Sequence, residues 1–152
     1  MLAVVANPVT VDLLKSEDRA LLEDMYEVFV PKDAAFGLPP SNLLRRQTWL
    51  DTLLAKGINL VARVGEQVIG HMVLMPDANK AEMAMFVHQD FRCQGVARLL
   101  FRAAVKEMTP HGIETMWAMV GGDNYACAAA LRSFGFKTVA THGTESEMLY
   151  KQ

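Results

Sequence analysis

The sequence predicts a mixed α/β domain, and three features predict it: amphipathic helical stretches near each end of the chain, β-branched runs between them, and a strand-helix-strand-helix-strand centre. A length of 152 residues fits one domain with a real core, and residues 1–152 are expected to form a single unit.

"VTVDLL" alternates weakly and reads as a first strand. Ser16 then stands as an N-cap before "EDRALLEDMYEVF", where Leu21, Leu22, Met25, Val28 and Phe29 recur at helical spacing behind an acidic first turn. Pro31, Gly37 and Pro39-Pro40 make residues 31–40 irregular, a binding edge or a plain connector. Ser41 opens a second helix, "NLLRRQTWLDTLLAKG", which stops at Gly57. "INLVARV" and "VIGHMVLM" flank a "GEQ" turn as a hairpin does, and "KAEMAMFV" supplies another strand. Apolar positions 96, 99, 100, 103, 104 and 108 mark one face of a helix that Pro110 and Gly112 end. "IETMWAMV" has the continuous apolarity of a strand covered on both faces. Asp123 is placed to cap the helix "NYACAAALRSF", Gly135 terminates it, and "FKTVAT" and "SEMLYK" follow as strands around His142-Gly143. The predicted order is β-α-α-β-β-β-α-β-α-β-β.

Composition narrows the function. Half the residues are hydrophobic and 21% are charged, with no long apolar run, as expected of a soluble protein. "MLAVVANPVTVDLL" lacks the basic lead-in of a secretory signal, and a cytoplasmic location is expected. Fifteen basic residues against seventeen acidic, without a basic block, argue against nucleic acid or membrane as a partner. Cys93 and Cys127 show no metal or redox spacing, so no metal is expected and both read as free thiols.

"FRCQGVARLL" puts an arginine, a lone glycine and a small residue at a helix start. The first amides of such a helix lack carbonyl partners and lie at the positive end of its dipole, a setting that attracts phosphate. Gly95 has no Cβ to hold a phosphate away, Ala97 keeps the next turn low, and Arg92 can add a charged donor. The Lys-Ser/Thr pair of a triphosphatase loop and the three glycines of a dinucleotide fingerprint are both missing.

In context, "VHQDFRCQGVARLL" resembles the coenzyme A signature of the GNAT superfamily of N-acetyltransferases, V-x(4)-[QR]-x-x-G-x-[GA], with Val87, Arg92, Gly95 and Ala97 at its fixed positions. "NYACAAALRSFGF" is similar to that family's N-x-x-A-x-x-x-Y-x-x-x-G-F, with Asn124, Gly135 and Phe136 in place. The resemblance implies the GNAT-like fold, in which the sheet splays after a bulge in the strand carrying Met85 to Val87 and acetyl-CoA enters the gap. It further implies that main-chain groups of Met85, Phe86 and Val87 pair with pantetheine. Amides of Cys93, Gln94, Gly95, Val96, Ala97 and Arg98 would hold the pyrophosphate, and Asn124 would bond the pantetheine arm or serve as a helix cap.

Acetyl transfer to an amine requires removal of a proton, because an amine is mostly ammonium at neutral pH. Two frequent family solutions are absent here: Leu131 stands where a tyrosine acid is common, and Met119 where a glutamate is. "AEMAMFV" instead resembles the A-E-F-A-x-x-V of bacterial protein-lysine acetyltransferase domains, implying Glu82 as catalytic base. Beside Met83, Met85 and Phe86 such a carboxylate is expected to be partly desolvated. His71 reads as a hydrogen-bonded strand residue, His88 as solvated, Cys127 as packing and Tyr125 as a surface residue.

The expected activity is therefore acetyl-CoA-dependent N-acetylation by direct attack, with a protein lysine as acceptor. The alternatives are a polyamine- or aminoglycoside-like small amine, or a non-catalytic coenzyme A-binding sensor module. A diffuse acceptor site suits a protein, and a deep acidic pocket suits a small polycation. Association as a homodimer is left open.

Overall fold

A computed structural model describes residues 7–33 and 37–152. The middle of the expected irregular stretch, 34–36, lies outside the described residues. Seven strands and four helices follow in the predicted order: β1 Val9–Leu13, α1 Arg19–Val28, α2 Leu43–Lys56, β2 Ile58–Val64, β3 Gln67–Asp77, β4 Lys80–Val87, α3 Val96–Met108, β5 Thr115–Gly121, α4 Tyr125–Phe134, β6 Lys137–His142 and β7 Glu145–Lys151. They form one sheet of order β1-β2-β3-β4-β5-β7-β6. Neighbours pair antiparallel except β4 and β5.

Helix starts differ from expectation by a few residues, each for a local reason. Ser16 begins a 3-10 turn through Asp18 instead of capping α1. Asp18 accepts from the Lys15 amide at 2.8 Å and pairs with Arg63 at 2.9 Å, tying this turn to β2. Burial opposes ionisation of Asp18, but those two partners prevail and hold its pKa below the ordinary value. Asn42, and not Ser41, caps α2 by accepting from the Arg45 amide at 3.0 Å, while the Ser41 hydroxyl bonds Asp33. Asn124, and not Asp123, caps α4.

One face of the sheet carries α3 and α4. Its core joins Ile69, Met72 and Leu74 of β3, Leu100, Phe101, Ala104 and Met108 of α3, Met116, Ala118 and Val120 of β5, and Leu131 of α4. Gly70 lets α3 sit close: a Cβ there would lie 3.0 Å from Leu100 and 3.2 Å from Val96. The opposite face, over β2 to β4, carries α1 and α2, with Leu22, Met25, Tyr26 and Leu50 packed on Val61 and Phe86.

His71 lies within this second core, fully buried. Asn59 Nδ2 donates to the carbonyls of Leu53 (2.9 Å) and Gly57 (3.1 Å), which orients its Oδ1 toward His71 Nε2 at 2.8 Å. Nε2 therefore carries the proton, Nδ1 accepts, and the Tyr26 hydroxyl donates to it at 2.6 Å. The chain of bonds joins the end of α2 to β2, β3 and α1, which accounts for the histidine structurally, as its sequence setting suggests.

Burial pulls the His71 pKa down from 6.5 to about 3. A depressed folded-state pKa means that the unfolded chain binds the proton first, so this stabilisation is complete above pH 6.5 and is lost as pH falls toward 3. At about 1.4 kcal/mol per pH unit, urea titrations should show a loss of roughly 2 kcal/mol between pH 6.5 and 4.5, with the imidazole still neutral by NMR at the lower pH. An imidazolium in the folded protein at pH 4.5 would contradict this account.

Candidate active site

The sheet is interrupted at its centre. β4 and β5 pair only from Lys80↔Thr115 to Glu82↔Trp117, after which they diverge. β4 keeps β3 as its other neighbour up to Val87, and β5 keeps β7 up to Gly121. The edge of β4 from Met83 onward thus faces a gap, and main-chain donors and acceptors on such an edge can add another extended segment. Contrary to expectation, β4 itself has no bulge. Its register against β3 is continuous, and the extra residue is Ile69 of β3, at the shift between Ala62↔Gly70 and Arg63↔Val68.

β4 leads into the loop that precedes α3. Cys93 and Gly95 both adopt positive φ, 61° and 84°, so the chain coils into a concave turn before α3. The first bond of the helix is from Leu99 N–H to Gly95 C=O at 3.2 Å. Among the described residues, the amides from Cys93 to Arg98 donate to no protein acceptor. Nothing lies within 4 Å of where a Gly95 Cβ would stand, so one face of this turn is open backbone. These features fit a diphosphate, which needs several convergent N–H donors and close approach.

Arg92 is placed differently from the expectation. Its Nε donates to Val87 C=O at 2.9 Å and an Nη donates to Val30 C=O at 2.5 Å, with the guanidinium 5.1 Å from the Phe29 ring centre. The side chain is committed to main-chain carbonyls and does not extend over the turn. It also occupies the Val87 carbonyl. The His88 N–H to Ile69 C=O bond fixes the alternation along β4, so the main-chain groups of Phe86 pair with His71 of β3, and of the expected pantetheine-pairing trio Met85 and the Val87 amide face the gap.

Asn124 opens α4 on the same side of the sheet. Its Oδ1 accepts from the Cys127 amide at 3.1 Å, so the capping role is filled. Among the described residues its side-chain NH2 donates to no group, and that donor can still serve a ligand. Burial pushes the Cys127 thiol pKa up, which suits packing and not nucleophilic attack. Leu131 is buried and Tyr125 is exposed at the surface.

Glu82 stands where β4 and β5 part. It shares its sheet face with Ala84 and Phe86, while Met83 and Met85 point to the α3 side, so the expected desolvation by those methionines is not found. The carboxylate is exposed and has no hydrogen-bond or ion-pair partner among the described residues. His88, expected to be solvated, is buried instead. Its amide donates to Ile69 C=O at 2.8 Å, and its Nδ1 accepts from the Asp90 amide at 3.0 Å.

Residues 22–136 match the sequence pattern of the Acetyltransferase (GNAT) family. The chain belongs to that family. GNAT enzymes transfer acetyl from acetyl-CoA to an amine. No curated protein matches the sequence. Among solved structures, the chain is similar to the PaiA N-acetyltransferase of Thermoplasma acidophilum in complex with coenzyme A (22% identity, 95% of this chain and 99% of that one, TM-score 0.76). It is also similar to the GNAT domain of S. lividans PAT (18%, 93% and 89%, TM-score 0.81) and to the ribosomal-protein-alanine N-acetyltransferase of Brucella melitensis (19%, 94% and 99%, TM-score 0.76). At these identities the likeness shows the GNAT fold and leaves the acceptor undetermined.

No group of His, Cys, Asp and Glu among the described residues is arranged to hold a metal, and no described helix is long and apolar enough to cross a membrane.

Gly95→Ala separates backbone strain from ligand approach. The added methyl meets no protein atom, so only the left-handed conformation is penalised, by about 1 kcal/mol of stability. Calorimetry should show coenzyme A binding weakened at least tenfold, whereas full affinity would place the diphosphate elsewhere.

Proposed function

We propose that this enzyme acetylates a lysine side chain presented on a protein surface, with Glu82 as the general base. The observation that carries the reading is the open sheet face beside Glu82. By register, Trp117 and Met119 of β5 share that face with Leu149, Glu147 and Glu145 of β7. α1 and α2 pack over β2 and β3 and leave this half of the face uncovered. It carries an apolar strip from Trp117 to Leu149 and carboxylates toward the end where the strands diverge. An uncovered, partly acidic floor suits a cationic side chain on a large partner better than it suits a small polyamine, which needs to be enclosed.

The turn before α3 and the start of α4 would take acetyl-CoA from one side, through amides of Cys93 to Arg98, the β4 edge at Met85 and the Val87 amide, and the Asn124 amide. Bound acetyl-CoA supplies the thioester whose carbonyl the amine attacks. The acceptor approaches from the opposite face, passing Trp117 and Glu82. Glu82 accepts the ammonium proton, directly or through water, which frees the lone pair for attack. With Leu131 in place of a phenol, the departing thiolate takes its proton from solvent or from the acid form of Glu82.

The free thiols Cys93 and Cys127 are consistent with a reducing, cytoplasmic setting for such a substrate.

Glu82→Gln should lower turnover by roughly 10²- to 10⁴-fold with coenzyme A affinity retained, read as thiol release over a panel of lysine-containing proteins and free polyamines. Release with polyamines alone would transfer the acceptor to the small-molecule class. Binding without release on any acceptor would make the chain a coenzyme A sensor. Glu147→Lys should raise KM for a basic protein acceptor about tenfold and change kcat little, since it reverses a charge on the floor and not at the reacting atoms.

A further inference from the structure

The loop between β4 and α3 also holds the last residues of α1 and the segment that leaves it. Gln89 Nε2 donates to Val28 C=O at 2.8 Å, and Gln89 Oε1 accepts from Val30 N–H at 3.2 Å. Arg92 then takes Val30 C=O at 2.5 Å and Val87 C=O at 2.9 Å, with its guanidinium over the Phe29 ring. Two side chains of one loop therefore capture three main-chain groups of Val28–Val30, at sequence separations near sixty. An extended peptide segment is otherwise satisfied by water, so this bidentate capture by Gln89 is specific: it requires both the carbonyl and the amide in one orientation.

The same segment continues into Lys32, whose ammonium bonds the carbonyls of Glu27 (2.8 Å) and Phe29 (2.9 Å). Phe29 in turn packs on Phe86 of β4, ring centres 5.9 Å apart, on the face that carries Glu82. Between the diphosphate turn at Cys93–Arg98 and the acceptor side of the sheet there is thus a short bonded route: Gly95 turn, Arg92 and Gln89, Val28–Val30, Phe29 against Phe86.

We infer that Gln89 and Arg92 are positioning residues that couple coenzyme A binding at the glycine turn to the order of the Val28–Lys32 segment on the acceptor side. This rests on the reading of Cys93–Arg98 as the diphosphate cradle. A ligand that fixes the turn fixes the loop bearing Gln89 and Arg92, and the captured segment loses freedom with it. By linkage, an acceptor that contacts the ordered segment binds more tightly after the donor than before it.

Gln89 is the informative position, because it touches Val28 and Val30 and lies outside the cradle. Amide exchange is measured by NMR on the whole chain, with and without saturating coenzyme A, for the wild type and for Gln89→Leu, which keeps a branched side-chain end one methylene shorter and removes both bonds. In the wild type, coenzyme A should shift the amide signals of Gly95 and Val96 and slow exchange at Val30 about fivefold. In Gln89→Leu, the Gly95 and Val96 shifts should persist and the coenzyme A-dependent slowing at Val30 should vanish. A purely structural role for Gln89 would speed Val30 exchange equally with and without coenzyme A, and that result overturns the inference. So does unchanged Val30 exchange in the wild type while Gly95 and Val96 respond. If Gly95 and Val96 themselves do not respond, the cradle assignment falls and the coupling falls with it.

Discussion

Everything distinctive here follows from a hydrogen-bond ladder that stops early. β4 and β5 are held together at three residue pairs and then separate, although each is fully paired on its other side. Unpaired main-chain groups are usually confined to the outer strands of a sheet, where they meet water or are covered. Here they lie in the middle, between two half-sheets that share the α3 and α4 core. A molecule bearing its own amides can replace the missing partner there without demanding particular side chains. That explains why Met83 and Met85 are free to serve the core while their backbone remains available.

The turn at the end of β4 follows a related logic. Once β4 has ended, the chain must reverse onto α3, and Gly70 permits a close fit of that helix against β3. Positive φ at Cys93 and Gly95 then aims successive amides outward instead of into a ladder. Attraction for an anion arises from backbone alone. The nearby arginine works on the protein's own carbonyls, exchanging a role in ligand charge for one in fixing the α1 exit.

How much of this was legible in the sequence depends on range. Strands with strong alternation or β-branched runs, and most of the expected α3 face (96, 100, 103, 104 and 108), were readable because periodicity is local, whereas Leu99 is exposed and Phe101 takes a place in the core. The glycine turn was readable for the same reason, since a helix start needs few residues to specify. Arg92 was misjudged because its partners are Val87 and Val30, and no local pattern announces a carbonyl about sixty residues away. Glu82 was placed among methionines by adjacency in sequence, whereas alternation along β4 sends Met83 and Met85 to the other face. The His88 amide likewise bonds Ile69, an extra residue in a neighbouring strand that pattern reading does not register.

The exposed state of Glu82 bears on how such a site would act as the proposed base. A solvated carboxylate is a weak base for an ammonium proton, because water stabilises its charge. On the proposed reading, the donor fills the gap on one side of Glu82 and the acceptor covers the Trp117–Leu149 floor on the other, so both substrates together remove that water. On that reading the carboxylate meets the acceptor ammonium directly only in the ternary arrangement, with no bulk water between the two. A base prepared by burial in the protein alone would be ready before the acceptor arrived, and would equally activate water against the thioester. On the proposed reading, an open Glu82 at the parting of β4 and β5 meets its proton donor only when the amine arrives.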